Sequence, residues 1–389
     1  MLRREALLSL LLLGSPLSSL AAQEVPSPAS CGAGASCAGR LVFFGTLGNE
    51  IRAARFNPAT GRLSDLGIVA QLERPTWLVG GMDAGTLYAV SETGNDGRSE
   101  ATVHSFAVDP ATGHLSERNA VGSGGGGATH LALDPASRTL FVANFGTGHV
   151  SALPVEEDGH LGAAASRQQD RGTGPKPRQH SAHAHGVTVA PGGRFLLVPD
   201  LGADRVFVYR FDPATRALTP HDPPWETVEA GSGPRHLVFF PDGHFAFLDS
   251  ELTGEVTVFR WDGGLGRLHR VETRSTYAAG TEGDRSAAEI ASSADGRFLY
   301  VSNRRAADEI VVFRVDAASG ALSEVQRLGS GGTSPWSFTL APGGHWMLVA
   351  NVESGSVEVL RVDPVTGRLE SSGNRLVVPK PTNVTFLPG

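Results

Sequence analysis

Short runs of Val, Phe, Tyr, Leu and Thr, some alternating with polar residues and some continuous, recur along the chain between Gly-bearing polar segments. Such runs predict β-strands, and beyond the N-terminal segment no stretch carries the 3.6-residue periodicity of an amphipathic helix. The stretch HGVTVAPGGRFLLVPDLGADRVFVYRFDPATRAL, starting at His185, holds three of them, HGVTVA, RFLLVPD and RVFVYRF, with a fourth after DPATRAL.

The phrase before each fourth run is itself repeated. It reads NPATGRL from Asn57, DPATGHL from Asp109, EEDGHL from Glu156, DPATRAL from Asp212, DGGLGRL from Asp262, DAASGAL from Asp316 and DPVTGRL from Asp363. Its chemistry is that of a tight hairpin turn: Asp or Asn bonds nearby backbone, Pro presets φ, and Gly supplies a positive φ. The final leucines, from Leu63 to Leu369, stand 46 to 57 residues apart, a spacing found in propeller blades. Seven units of four antiparallel strands predict an all-β fold, the seven-bladed β-propeller. RLVFFGTLGNEIRAARFNPATGRL supplies strands two to four of a unit but no first strand, whereas PTNVTFLPG is a first strand with nothing after it. The C-terminal strand is therefore expected to join the N-terminal blade, closing the ring and removing an exposed edge.

The 49 Gly and 24 Pro among 389 residues fit such a turn-rich fold. A net charge of -7 with no long basic run gives no footprint for nucleic acid or an anionic membrane, so the expected partner is a small molecule bound by a monomer. At the N-terminus Arg3 and Arg4 precede an apolar run from Ala6 to Leu20 and small residues ending at Ala22. This is the plan of a signal peptide over residues 1–22, with Gly14 and Pro16 breaking any membrane span; the arginine pair raises the twin-arginine route, but the rest of that signal is poorly matched and the general secretory route is favoured. A Gly/Ala/Ser/Pro-rich linker over 23–38 and a propeller over 39–389 follow, in a periplasmic or secreted protein. The two cysteines, Cys31 and Cys37, fall in the linker, where a small-loop disulfide suits an oxidising compartment. Lipid attachment at Cys31 is the alternative, although Pro28, Ala29 and Ser30 lack the usual aliphatic residue.

In an antiparallel hairpin the start of strand one and the end of strand two share an edge, so residues at those places gather on one face around the channel. They are His183 and His185 in HSAHAHG, Asp200 in VPDLG, Arg235 and His236 in GPRHL, Glu251 in LDSELTG, Glu289 in SAAEI, Arg304 in VSNRR and Trp336 in SPWSF. The segments PTWL, ATHL and PTNV are blander and are expected to contribute less. A charged residue at a strand end is ordinarily a solvated turn residue; the convergence of several points to a site. Histidine, arginine and carboxylate together can hydrolyse an activated ester, as base, oxyanion partner and orienting group. His183 and His185 share a strand face with His180 nearby, which opens a metal reading. No acidic partner of matching spacing accompanies them, so neither metal nor other cofactor is expected. There is no GxSxG elbow, and GSGGGGAT from Gly122 lacks the Lys of a phosphate-binding loop.

The consecutive blades HAHGVTVAPGGRFLLVPDLGADRVFVYRFD, GPRHLVFFPDGHFAFLDSELTGEVTVFRWD and SAAEIASSADGRFLYVSNRRAADEIVVFRVD resemble those of the seven-bladed propeller lactonases. That family includes a bacterial 6-phosphogluconolactonase and the fungal carboxymuconate lactonizing enzyme. The resemblance covers essentially the whole mature chain and implies metal-independent lactone chemistry. It places the family's catalytic histidine on His185, its GPRH arginine on Arg235, its glutamate on Glu251 and the arginine of its SNR-like motif on Arg304. His183, His236, Glu289, Trp336 and Asp200 remain substrate-binding candidates. Two departures stand out: Ser250 where the family often has Asn, and Trp336 where it often has Arg. Loss of that cation, together with export, favours an unphosphorylated sugar lactone, sugar acid or related cyclic ester. His185 is then the base on water, Arg235 and Arg304 grip the oxyanion, and Glu251 orients them. A non-catalytic propeller binding a small molecule or protein at its channel mouth, and a lactone-forming cycloisomerase, are the alternatives.

Overall fold

The computed structural model describes residues 39–388, so the signal peptide, the linker and the Cys31–Cys37 pair lie outside the described residues. Every regular element within them is a β-strand, and the strands form seven four-stranded antiparallel sheets. Blade 1 is Arg40–Thr46, Glu50–Phe56 and Leu63–Gln71, completed by Pro381–Phe386. Blades 2 to 7 begin with Leu78–Gly80, Ala128–Asp134, Thr188–Val189, Pro234–Phe239, Arg285–Ser292 and Pro335–Leu340. Closure follows the expected route: Pro381–Phe386 pairs antiparallel with Arg40–Thr46, setting Val384 opposite Phe44.

The repeated turn phrase explains both the hairpin and the contact between blades. Asn57, Asp109, Asp212, Asp262, Asp316 and Asp363 each accept, through Oδ1, the N–H two residues on at 2.8–3.2 Å. The turn glycines Gly61, Gly113, Gly266, Gly320 and Gly367 hold φ of 69–77°. Space is lacking there too: a Cβ on Gly266, Gly320 or Gly367 would lie 2.3–2.6 Å from Phe195, Phe245 or Phe298 of the preceding blade. Arg216 fills the same turn position in blade 4 at φ +58°, a conformation that costs an L-residue about 1 kcal/mol. Arg216→Gly is expected to stabilise the fold by roughly 0.5 kcal/mol, after the extra entropy of the unfolded chain is counted, and to raise the calorimetric midpoint slightly. A lower midpoint would show that the Arg216 side chain outweighs its backbone.

Seven apolar clusters hold the described residues together, one at each interface between neighbouring blades. The cluster joining blades 7 and 1 contains Phe44, Phe56, Trp346 and Val384, so ring closure is a core contact as well as a strand pairing. Each fully buried Phe or Val there contributes on the order of 1.5–3 kcal/mol. Blade 4 departs from expectation: HGVTVA is regular strand only at Thr188–Val189. Its partner strand carries Pro199, which accepts from His185 N at 2.9 Å but has no N–H to return. No helix among the described residues is long and apolar enough to cross a membrane.

Candidate active site

First and second strands pair in a common register, so positions match from blade to blade. One ring at the channel mouth comprises Thr76, Thr129, His185, Arg235, Ala288, Trp336 and Thr382. The next comprises Trp77, His130, Gly186, His236, Glu289, Ser337 and Asn383. A third, just after the second strands, comprises Leu47, Glu92, Phe145, Leu201, Glu251, Arg304 and Val352. Consecutive residues of a regular strand face opposite ways. Register shifts at Pro234/Leu237 and Ala287/Ile290 relax that rule in blades 5 and 6. Such bulges re-aim side chains, and here Arg235 and His236 both line the same channel-mouth cavity.

Glu251 is the hub of the site. Its Oε2 lies 3.3 Å from Arg235 Nε, 3.3 Å from Arg304 Nη2 and 3.6 Å from His185 Nε2, while Oε1 accepts from Arg178 Nη1 at 2.5 Å. Burial pushes the Glu251 pKa up, but the charges of Arg304, Arg178 and Arg235 together hold the carboxyl well below the usual range. Burial, then Arg235, depresses the His185 pKa far below its ordinary value, only partly opposed by Glu251. The resting imidazole is therefore neutral. Arg304 is lowered by burial to about 10 and stays charged at neutral pH, with its guanidinium carbon 4.4 Å over the Trp336 ring. Arg235, whose side chain is 1% exposed, also donates from Nη1 to the Ala288 carbonyl. Arg304 Nε is a buried donor with no hydrogen-bond partner among the described residues, and Arg235 Nε, although 3.3 Å from Glu251 Oε2, makes no aligned hydrogen bond to it.

Of these groups Arg178, His185, Arg235 and Glu251, but not Arg304, border a cavity of about 170 Å³ whose walls also include Trp77, Phe145, His236 and Trp336. A larger cavity of about 420 Å³, lined by Val187, Leu237, Phe239 and other mostly apolar residues, continues along the first strands. His236 borders both. Its Nδ1 lies 3.1 Å from Glu289 Oε1, and its ring packs against His130, His185 and Trp77 at centroid distances of 4.7–5.4 Å.

The structure thus brings His185, Arg235, Glu251 and Arg304 into one cluster, with His236 and Trp336 in its wall and Glu289 behind His236. His183 stands one step back: it stacks on Phe145 at 4.6 Å, and its Nδ1 donates to the Phe145 carbonyl at 2.7 Å. Among the described residues no three of His, Cys, Asp and Glu are placed to hold a metal ion. Asp200 lies outside the cavity wall. It precedes the ring position by one residue, so its wholly buried carboxylate turns into its own blade and accepts from His183 N and Ala203 N, each at 2.8 Å. Trp77 and His130, in the segments PTWL and ATHL read as bland, share the register of His236 and belong with the channel residues. Arg178 was not among the sequence candidates. It falls within the longest interval between turn leucines, the 57 residues from Leu161 to Leu218, and that length is the one sequence signal for it.

The model of the family described as "Lactonase, 7-bladed beta-propeller" matches residues 42–386. The chain belongs to this lactonase family. It is 29% identical over 326 residues to a 6-phosphogluconolactonase of Bacillus subtilis, covering 84% of this chain and 90% of that protein. To a 6-phosphogluconolactonase of Pectobacterium carotovorum it is 32% identical over 290 residues, covering 75% of this chain and 83% of that one. Among solved structures, the periplasmic gluconolactonase of Pseudomonas aeruginosa superposes with a TM-score of 0.84 at 37% identity, covering 90% of this lactonase-family chain and 99% of that one.

Proposed function

We propose that the chain is an exported lactonase that opens an unphosphorylated sugar lactone or related cyclic ester with water activated by His185. The reading rests chiefly on one cluster, in which His185 and the guanidinium groups of Arg235 and Arg304 all meet Glu251 Oε2, with His185, Arg235 and Glu251 in the wall of the channel-mouth cavity. A buried guanidinium beside the cavity can stabilise the oxyanion of a tetrahedral intermediate there. The 3.6 Å between His185 Nε2 and Glu251 Oε2 is too long for a direct hydrogen bond and leaves both atoms able to bond one water. His185 takes the proton of that water as the oxygen attacks the carbonyl carbon, and Glu251 stabilises the imidazolium that forms.

The choice of a neutral substrate is supported by the pairing of the cations at the mouth. Arg178 meets Glu251 at 2.5 Å and Arg74 meets Glu92 at 3.4 Å, while Trp336 presents an aromatic face beside them. Export is supported by the signal-peptide pattern over residues 1–22, and by the name of the Pseudomonas relative, a periplasmic gluconolactonase. The test is a pH-stat assay of the mature chain on sugar, sugar-phosphate and aliphatic lactones, with Arg235→Ala and Arg235→Lys alongside. Sugar lactones should be opened faster than their phosphates, and Arg235→Ala should cost about 10²- to 10³-fold in kcat/KM. Because the His185 pKa is depressed, the acid limb of the kcat/KM profile, where the imidazole charges, should lie well below the pH of an ordinary histidine. Acid release no faster than the spontaneous rate from every substrate would leave a binding scaffold instead.

A further inference from the structure

Collapse of the tetrahedral intermediate expels a ring alkoxide, which is too basic to depart without a proton. A general acid distinct from the His185 that takes the water's proton can supply it without waiting for that proton to cross the site. We infer that His236 donates it, and that Glu289, bonded to the other nitrogen of the same ring, replaces it from the lower channel. The inference rests on the hydrolase reading above and adds a second proton path to it.

The placement of the pair carries the argument. His236 is in the wall of both cavities, whereas Glu289 borders only the lower one, so the imidazole spans the waist between them. Glu289 Oε1 lies 3.1 Å from His236 Nδ1 and also accepts from Ile290 N at 3.1 Å, which fixes the carboxyl against the ring. Packing against Trp77, His130 and His185 fixes the ring itself. The backbone N–H of His236 is held by Asp249 Oδ1 at 2.6 Å.

The charges around the pair decide where its proton rests. His130 faces it from blade 3, His185 from blade 4, Arg235, Asp249 and Glu251 from blade 5, and Arg304 from blade 6. Burial, and then Arg235, whose Nη1 lies 3.1 and 3.3 Å from the two ring nitrogens, oppose an imidazolium. Burial raises the Glu289 pKa to about 7, partly offset by Arg235. Below that pH the proton belongs to the carboxyl, whose O–H donates to Nδ1, and the neutral ring carries its own proton on Nε2. As the ring C–O bond breaks, the Nε2 proton passes to the alkoxide oxygen and the Glu289 proton moves to Nδ1. Glu289 is left as a carboxylate near Arg235 and is recharged by water in the lower cavity, while His185 releases the proton taken from the attacking water. One water is consumed, and one hydroxyl, one carboxylate and one proton are formed.

Glu289→Gln keeps the shape of the side chain and removes the transferable proton. On a sugar lactone at pH 6.5 it is expected to lower kcat about 10²-fold, within the usual range for general acid catalysis, with KM changed less than about twofold. The wild-type kcat should fall as pH rises through about 7, and that limb should vanish in the variant. An aryl lactone such as dihydrocoumarin, whose phenoxide leaves readily, should lose less than about tenfold. A variant that keeps the alkaline limb, or loses as much on the aryl as on the sugar lactone, overturns the proton path while leaving the hydrolase reading intact. A wild-type chain that opens no lactone overturns both.

Discussion

Glu251→Gln should reduce kcat/KM on the preferred lactone by at least about 10³-fold and lower the melting midpoint by several degrees. One carboxylate here serves three guanidinium groups and an imidazole, with Oε2 at 3.3 Å from both Arg235 and Arg304 and Oε1 at 2.5 Å from Arg178. The amide can still accept a hydrogen bond, but it carries no charge. Arg235 and Arg304, 1% and 6% exposed at the side chain, would then face each other unneutralised. Breaking a buried ion pair from one side typically costs 3–5 kcal/mol, because the partner charge is stranded in low dielectric. Arg304 is the group to yield, since burial already lowers it to about 10 and Glu251 is what opposes that fall. Catalysis suffers separately: the imidazolium formed on His185 loses its stabilising anion, and the two arginines move apart to relieve repulsion. Folding is followed by near-ultraviolet circular dichroism and activity by pH-stat on the same sample. A folded variant within about tenfold of the wild-type rate would remove Glu251 from the centre of the reaction.

The cluster around Glu251 was legible, Arg178 apart, because its members occupy two recurring places in a repeating unit. His185 and Arg235 begin their blades, and Glu251 and Arg304 end the second strands of theirs, so strand pairing alone brings them to one mouth. The fold was legible for a related reason: the seven Asp-centred turn phrases are local signals that need no long-range information. What failed was resolution of a single residue. Asp200 is one position short of the ring, and with period-two alternation that step sends its carboxylate into the blade. Bulges act in the opposite sense, and they are why Arg235 and His236 share one cavity although they are adjacent. Trp77 and His130 were passed over on residue type, although their register equals that of His236. Arg178 had no repeat to betray it, since it belongs to an inserted loop that only the folded ring carries across to blade 5.

Asp249→Asn should stabilise the protein, by an amount that grows as pH rises from about 4 to 8. Asp249 is wholly buried; Oδ1 accepts from His236 N at 2.6 Å and Oδ2 has no hydrogen-bond partner among the described residues. Burial raises its pKa to about 8, with the charges of Glu289 and Glu251 adding to the rise and Arg235 and the His236 N–H opposing it. In the unfolded chain the same carboxyl ionises near 3.9. The folded state therefore binds the proton more tightly, and this group's contribution to stability is greatest at acid pH. It is lost progressively as pH rises towards 8 and changes little beyond. Asparagine keeps the acceptor for His236 N and has no proton to lose, so it escapes that penalty. The two proteins should melt within about a degree of each other near pH 4, and at pH 8 the variant should be more stable by on the order of 5 kcal/mol. Asp200 and Glu289, raised to about 6 and about 7, impose the same direction of pH dependence, but they are present in both proteins and largely cancel in the difference. Calorimetric melts at half-unit steps of pH measure that difference directly. A gap independent of pH, or a variant less stable at pH 8, would mean that Asp249 is ionised in the folded protein and that Arg235 shares its charge with it as well as with Glu251.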